Sequence, residues 1–202
     1  YRHTVICGIP DDTTGLIEKE HIIEYTLINP YSVNQKAIDY IKFTNHVLIE
    51  GDRPQDAIKD LKILCTVDNF PQDDLSESIE LISEDIREDF YNKKLILVEK
   101  DRNDKHEGIR IEFNDQIKVT MRYKIKVPSS DLCFTKRLKH PAENFRLDYT
   151  CIDQNTKLYG QLFGTEIKQS NISINYTGSS ISIETFDWLL PGNGAMVIML
   201  KK

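Results

Sequence analysis

The chain has 202 residues, with 26 Lys and Arg against 32 Asp and Glu and a formal net charge of −6. That length buries a proper core without metal or disulfide staples. No apolar run approaches the roughly 18 to 20 residues needed to span a bilayer. The acidic total speaks against nucleic acid as a partner, because backbone affinity rests on a large cationic surface.

In chain order, Arg2-His3-Thr4-Val5-Ile6-Cys7 reads as a strand from the start, so the chain is expected to be a piece of a longer protein. The turn-rich Pro10–Gly15 leads to a second run, Ile22–Ile28, which could pair with the first as a hairpin. Further strands are expected in Ala37–Phe43 continuing to Ile49, in Leu61–Cys65 and in Leu95–Val98. One segment departs from this pattern. Leu75, Ile79, Ile82, Ile86 and Phe90 follow helical spacing, and Asp74 with Glu77 forms a capping-box-like pair, which predicts an amphipathic helix over 74–90. A short strand at Ile79–Ile82 is the competing reading.

Ile109, Ile111 and Phe113 alternate with polar residues, and after Asn114-Asp115-Gln116 so do Ile117, Val119, Met121, Tyr123, Ile125 and Val127. Only a β-strand puts every second side chain on one face, so a hairpin is expected here. Lys118, Thr120, Arg122, Lys124 and Lys126 must then share its outer face. Pro128-Ser129-Ser130-Asp131 is the expected linker. It divides a β-rich lobe at 1–127 from an all-β lobe at 132–202, the two packed through a shared core.

In the second lobe, strands are expected at Phe145–Cys151, Leu158–Phe163, Ile172–Tyr176, Ile181–Trp188 and Ala195–Leu200. The apolar parity shift from Ile181 and Ile183 to Phe186 and Trp188 suggests a β-bulge. Trp188 is expected to be a core anchor, its exposure for stacking being the alternative. The unbroken Ala195–Leu200 run predicts a strand covered on both faces. The fold class expected is therefore mainly β, an antiparallel sandwich or barrel-like arrangement in two small lobes, with one helix near 74–90.

Chemistry-bearing motifs are few. There is no G-x-G-x-x-G, P-loop, H-E-x-x-H, G-x-S-x-G or C-x-x-C in the chain, and its histidines are scattered. Asp11-Asp12 and Asp73-Asp74 suit turns or caps better than metal coordination, so neither metal nor cofactor is expected. Cys7, Cys65, Cys133 and Cys151 read as buried thiols, with disulfides as the alternative. Two glycosylation sequons, at Asn171 and Asn175, are short enough to arise by chance, and a cytoplasmic setting is expected.

Charge is segregated. Between residues 117 and 146, eight cations face only Asp131 and Glu143, while 73–89 holds eight acids and only Arg87. Strand-borne cations two residues apart stand roughly 6.5 to 7 Å from each other, a spacing suited to successive anionic oxygens. Such a stripe also keeps an exposed strand soluble, and an acidic helix could lie over it. The functional reading is a non-enzymatic sensing or regulatory module. It would recognise a small nucleotide-like anion or an acidic protein surface through Lys118, Arg122, Lys124 and Lys126. Lys136, Arg137, Lys139, His140 and Arg146 would stand at the mouth of a crevice between the lobes. The alternatives are a hydrolase or transferase with His140 as general base, and a structural β assembly module that forms homo-oligomers.

Overall fold

The computed structural model describes residues 1–28, 38–41, 43–48, 58–67, 73–74, 79–85, 92–99, 109–112, 116–164 and 171–201. The protein is mainly β, and the described residues contain no helix. The strands are β1 (Arg2–Cys7), β2 (Leu16–Ile28), β3 (Ile38–Ile41), β4 (Phe43–Leu48), β5 (Ile58–Val67), β6 (Asp73–Asp74), β7 (Ile79–Asp85) and β8 (Asn92–Glu99). They continue as β9 (Ile109–Glu112), β10 (Gln116–Pro128), β11 (Cys133–Arg137), β12 (Phe145–Cys151), β13 (Thr156–Phe163), β14 (Ile172–Thr177), β15 (Ser180–Thr185) and β16 (Gly194–Lys201).

Two compact units result, and their division differs from the expected cut at 128–131. One comprises Tyr1–Ile23 with Lys126–Lys202, the other Glu24–Ile125. The reason lies in β1, which pairs in parallel with β12 from Arg2↔Arg146 to Cys7↔Cys151 and so joins the C-terminal strands. Its other neighbour is β2, as the expected hairpin requires. The turn between them is built by Asp11, whose carboxylate accepts from the Thr13 and Thr14 amides and the Thr13 hydroxyl. These bonds hold the exposed Asp11 carboxyl down at about 2.

In the first unit, β14, β15, β12, β1 and β2 lie side by side in that order, and β11, β16 and β13 form a second sheet. Alternation explains why the two sheets pack. Phe145, Leu147, Tyr149 and Cys151 of β12 are buried, as are Val5 and Cys7 of β1 and Ile181 and Ile183 of β15. Leu158, Ala195, Val197 and Met199 meet them from the second sheet. Each such large apolar side chain contributes about 1.5 to 3 kcal/mol on burial. Contact between the sheets is direct: the Tyr149 hydroxyl donates to Met199 Sδ at 3.2 Å, and Phe134 packs on the rings of His3, His21 and Tyr149.

In the second unit β10 pairs with β5, β5 with β6, β3 with β9, and β4, β8 and β7 form a three-stranded sheet. Two expectations are corrected here. The segment predicted as a helix carries β7, antiparallel to β8 from Ile79↔Glu99 to Asp85↔Lys93. The register places Glu84 and Asp85 across from Lys94 and Lys93, and β-branched residues such as Ile79 and Ile82 suit a strand despite the local helical spacing. The remainder of 74–90 lies outside the described residues. The expected 109–127 hairpin is also not seen among the described residues: β9 pairs with β3, whereas β10 pairs with β5.

Candidate functional site

Two loops of the first unit are tied together by backbone hydrogen bonds. Leu138 N donates to Asn193 O at 2.9 Å, Gly192 N to Leu138 O at 2.8 Å, Ala142 N to Leu189 O at 2.9 Å and Leu189 N to Ala142 O at 2.8 Å. Leu138 and Leu189 point inward and are buried, which anchors both loops on the core. Their neighbours point out. Phe186, Trp188 and Leu190 are 63%, 57% and 49% exposed, and Arg137 at the end of β11 and Lys139 and His140 on the loop that follows it are also exposed. The rim is therefore both aromatic and cationic, on backbone that the core holds in place.

Local chemistry explains the outward rings and corrects the expected bulge. Burial alternates without a shift through Ile181, Ile183 and Thr185, where β15 ends. Asp187 N then bonds Thr185 Oγ1 at 3.1 Å and Trp188 N bonds Asp187 Oδ1 at 3.1 Å, so the chain turns. Asn171 Nδ2 donates to Asp187 Oδ2 at 3.0 Å and fixes the turn from β14's side. Leu189 takes the buried place expected for Trp188, which is solvent-facing instead. A second surface is also less covered than expected: β16 is central between β11 and β13, yet Ile198 and Leu200 are 36% and 47% exposed.

The predicted binding residues divide between the units. Along β10, Val119, Met121, Tyr123, Ile125 and Val127 are buried, and Lys118, Arg122 and Lys126 are exposed between them, as the alternation predicts. Lys124 makes an ion pair with Asp60 at 3.1 Å. Asp60 stands at a register shift opposite the Arg122–Lys124 step with φ of 53°, a bulge that re-aims its carboxylate. The register also places Lys62 opposite Arg122 and Lys59 opposite Lys124, two cationic positions missed from the sequence because they belong to another strand.

Lys136 and Arg137 lie in β11, a strand that sequence reading missed because a lysine occupies an inward position. Lys136 Nζ sits 5.3 Å over the Tyr1 ring, and burial, with Lys139 nearby, lowers its pKa to about 8. Arg137 lies over the Phe163 ring at 5.8 Å. Arg146 is engaged with Asp148 at 2.9 Å and Glu184 at 3.9 Å, while Arg2 meets the same Asp148 at 3.0 Å. No hydrogen bond or ion pair joins His140 to another described residue.

A buried polar row also escaped the sequence reading. Lys19 is 1% exposed, its ammonium donating to Asp131 Oδ2 at 2.9 Å, and His3 Nε2 lies 3.0 Å from His21 Nδ1. Burial, then the nearby cations, holds both imidazoles below their ordinary range, His21 at about 3. Of the cysteines, Cys7 and Cys151 are buried as expected, but Cys133 is exposed, and the side chain of Cys65 lies outside the described residues.

No protein-family model matches the chain, and no curated protein matches it significantly. Among solved structures, a Legionella pneumophila protein provisionally described as nutrient binding is similar, with a TM-score of 0.41 and 8% identity. That match covers 96% of this chain and 65% of the other, and a likeness of this order carries no argument about fold or function. No described helix is long and apolar enough to cross a membrane.

Proposed function

We propose that this protein is a non-enzymatic recognition module whose 137–142 and 186–192 rim binds a small anion carrying a planar group, as a nucleotide does. The observation that supports this is the joining of the two loops, which sets exposed aromatic side chains beside exposed cations. Trp188 and Phe186 would stack on the planar part, while Arg137, Lys139 and His140 would meet the anionic oxygens.

Trp188 is the only tryptophan, so its fluorescence reports on the rim directly. Titration with a nucleoside triphosphate, a cyclic dinucleotide, a phosphosugar and inorganic phosphate at physiological salt should give saturable quenching by the nucleotides. Lys139→Glu should weaken it at least tenfold. An unchanged signal with every ligand, or an affinity unaltered by Lys139→Glu, would overturn the assignment.

A second reading places an acidic protein surface on the outward face of β10. It is favoured by the exposure of Lys118, Arg122 and Lys126 on one face of β10. Arg122→Glu with Lys124→Glu would remove such binding and leave nucleotide quenching intact.

A further inference from the structure

We propose that Cys7 and Cys151 form a reversible disulfide, made by exchange with a small-molecule disulfide, that staples β1 to β12. The two residues are register partners at the ends of adjacent parallel strands. Neighbouring strands stand about 4.8 Å apart, inside the roughly 4.4 to 6.8 Å that a disulfide requires between Cα atoms. Both side chains share the inward parity of Val5 and Tyr149 and are buried. A recess in the first unit is lined by both cysteines together with Gly8, Pro10, Asp131 and Asp153. The strands end here, and the residues just beyond, Ile9 and Ile152, are 66% and 54% exposed.

The surroundings distinguish the two sulfurs. The neighbouring Cys151, and after it the charge of Lys19, lower the Cys7 thiol from its ordinary value against the effect of burial. The same pairing, with burial, pushes Cys151 up. Exchange can begin at either sulfur, Cys7 being one. Its thiolate displaces one thiolate from the small disulfide and forms a mixed disulfide. The Cys151 sulfur, giving up its proton, then attacks the Cys7 sulfur and expels the second small thiolate, which takes up that proton. Two protein thiols are oxidised, and one small disulfide is reduced to two thiols.

The test uses the whole chain equilibrated in graded glutathione and glutathione disulfide mixtures at pH 7.5, quenched in acid, alkylated and mapped without reduction. The expected result is a Cys7–Cys151 linked peptide that grows with the oxidised fraction, a melting temperature several degrees higher, and reversal of both by dithiothreitol. A Cys151→Ser variant should retain glutathione on Cys7. The proposal is overturned if Cys7 and Cys151 are alkylated at every ratio while only Cys133 is modified. It is equally overturned if either cysteine links to Cys65 or Cys133 instead. Should the variant not fold, the peptide map of the unsubstituted chain decides.

Discussion

Adjacent residues in the 186–190 turn carry opposite consequences. Trp188 is 57% exposed and Leu189 is 0% exposed. Trp188→Ala should change stability by no more than about 0.5 kcal/mol, whereas Leu189→Ala should cost about 2 to 5 kcal/mol, both read from urea denaturation. A large loss at Trp188 would mean that the ring is a core anchor after all. The His3 and His21 pair makes a second prediction. Both imidazoles are neutral in the fold, flanked by Lys19, Lys136 and Phe134, and bind protons more readily once unfolded. Their contribution to stability is complete above pH 6.5 and is lost as pH falls toward about 3. Melting temperature should therefore drop between pH 7 and 5, and a His3→Gln, His21→Gln variant should show a flatter slope.

Among the elements, strand existence was largely legible and pairing was not. The alternation from Ile117 to Val127 identified β10 and its two faces, because burial of one face imposes a period of two on the residues. What β10 pairs with is set by long-range register, which leaves no local trace. The 74–90 segment failed for a related reason: its apolar spacing suits a helix in isolation, and only its pairing with β8 makes β7 a strand. β11 was hidden by Lys136, whose ammonium sits over the Tyr1 ring rather than in water. Close approach between sheets is likewise decided by a single residue. A Cβ on Gly160 would come within 2.5 Å of Ile181 Cδ1 and 2.6 Å of Ile183 Cδ1. Gly160→Val should cost about 1 to 3 kcal/mol through overpacking, measured as a lower urea midpoint at unchanged slope.

For the molecule as a whole, the first unit is discontinuous in sequence. The described part of 132–202 contains six strands but not β1, which stands between β12 and β2. A fragment of 132–202 should therefore show no cooperative thermal transition by circular dichroism. A sharp transition would restore the boundary expected at 128–131. The sequence by itself determined the mainly β class, the two faces of β10, the turn at Pro10–Gly15 and the segregation of charge, because each follows from local periodicity, turn chemistry or simple composition. It also named the cationic and aromatic residues of the rim, yet as separate surfaces. Only the tertiary structure decided that β1 lies beside β12, that Leu189 rather than Trp188 fills the core, and that Cys7 meets Cys151. These depend on contacts between residues more than a hundred positions apart, or on competition between neighbours for one buried site, and neither is encoded in any window of the chain.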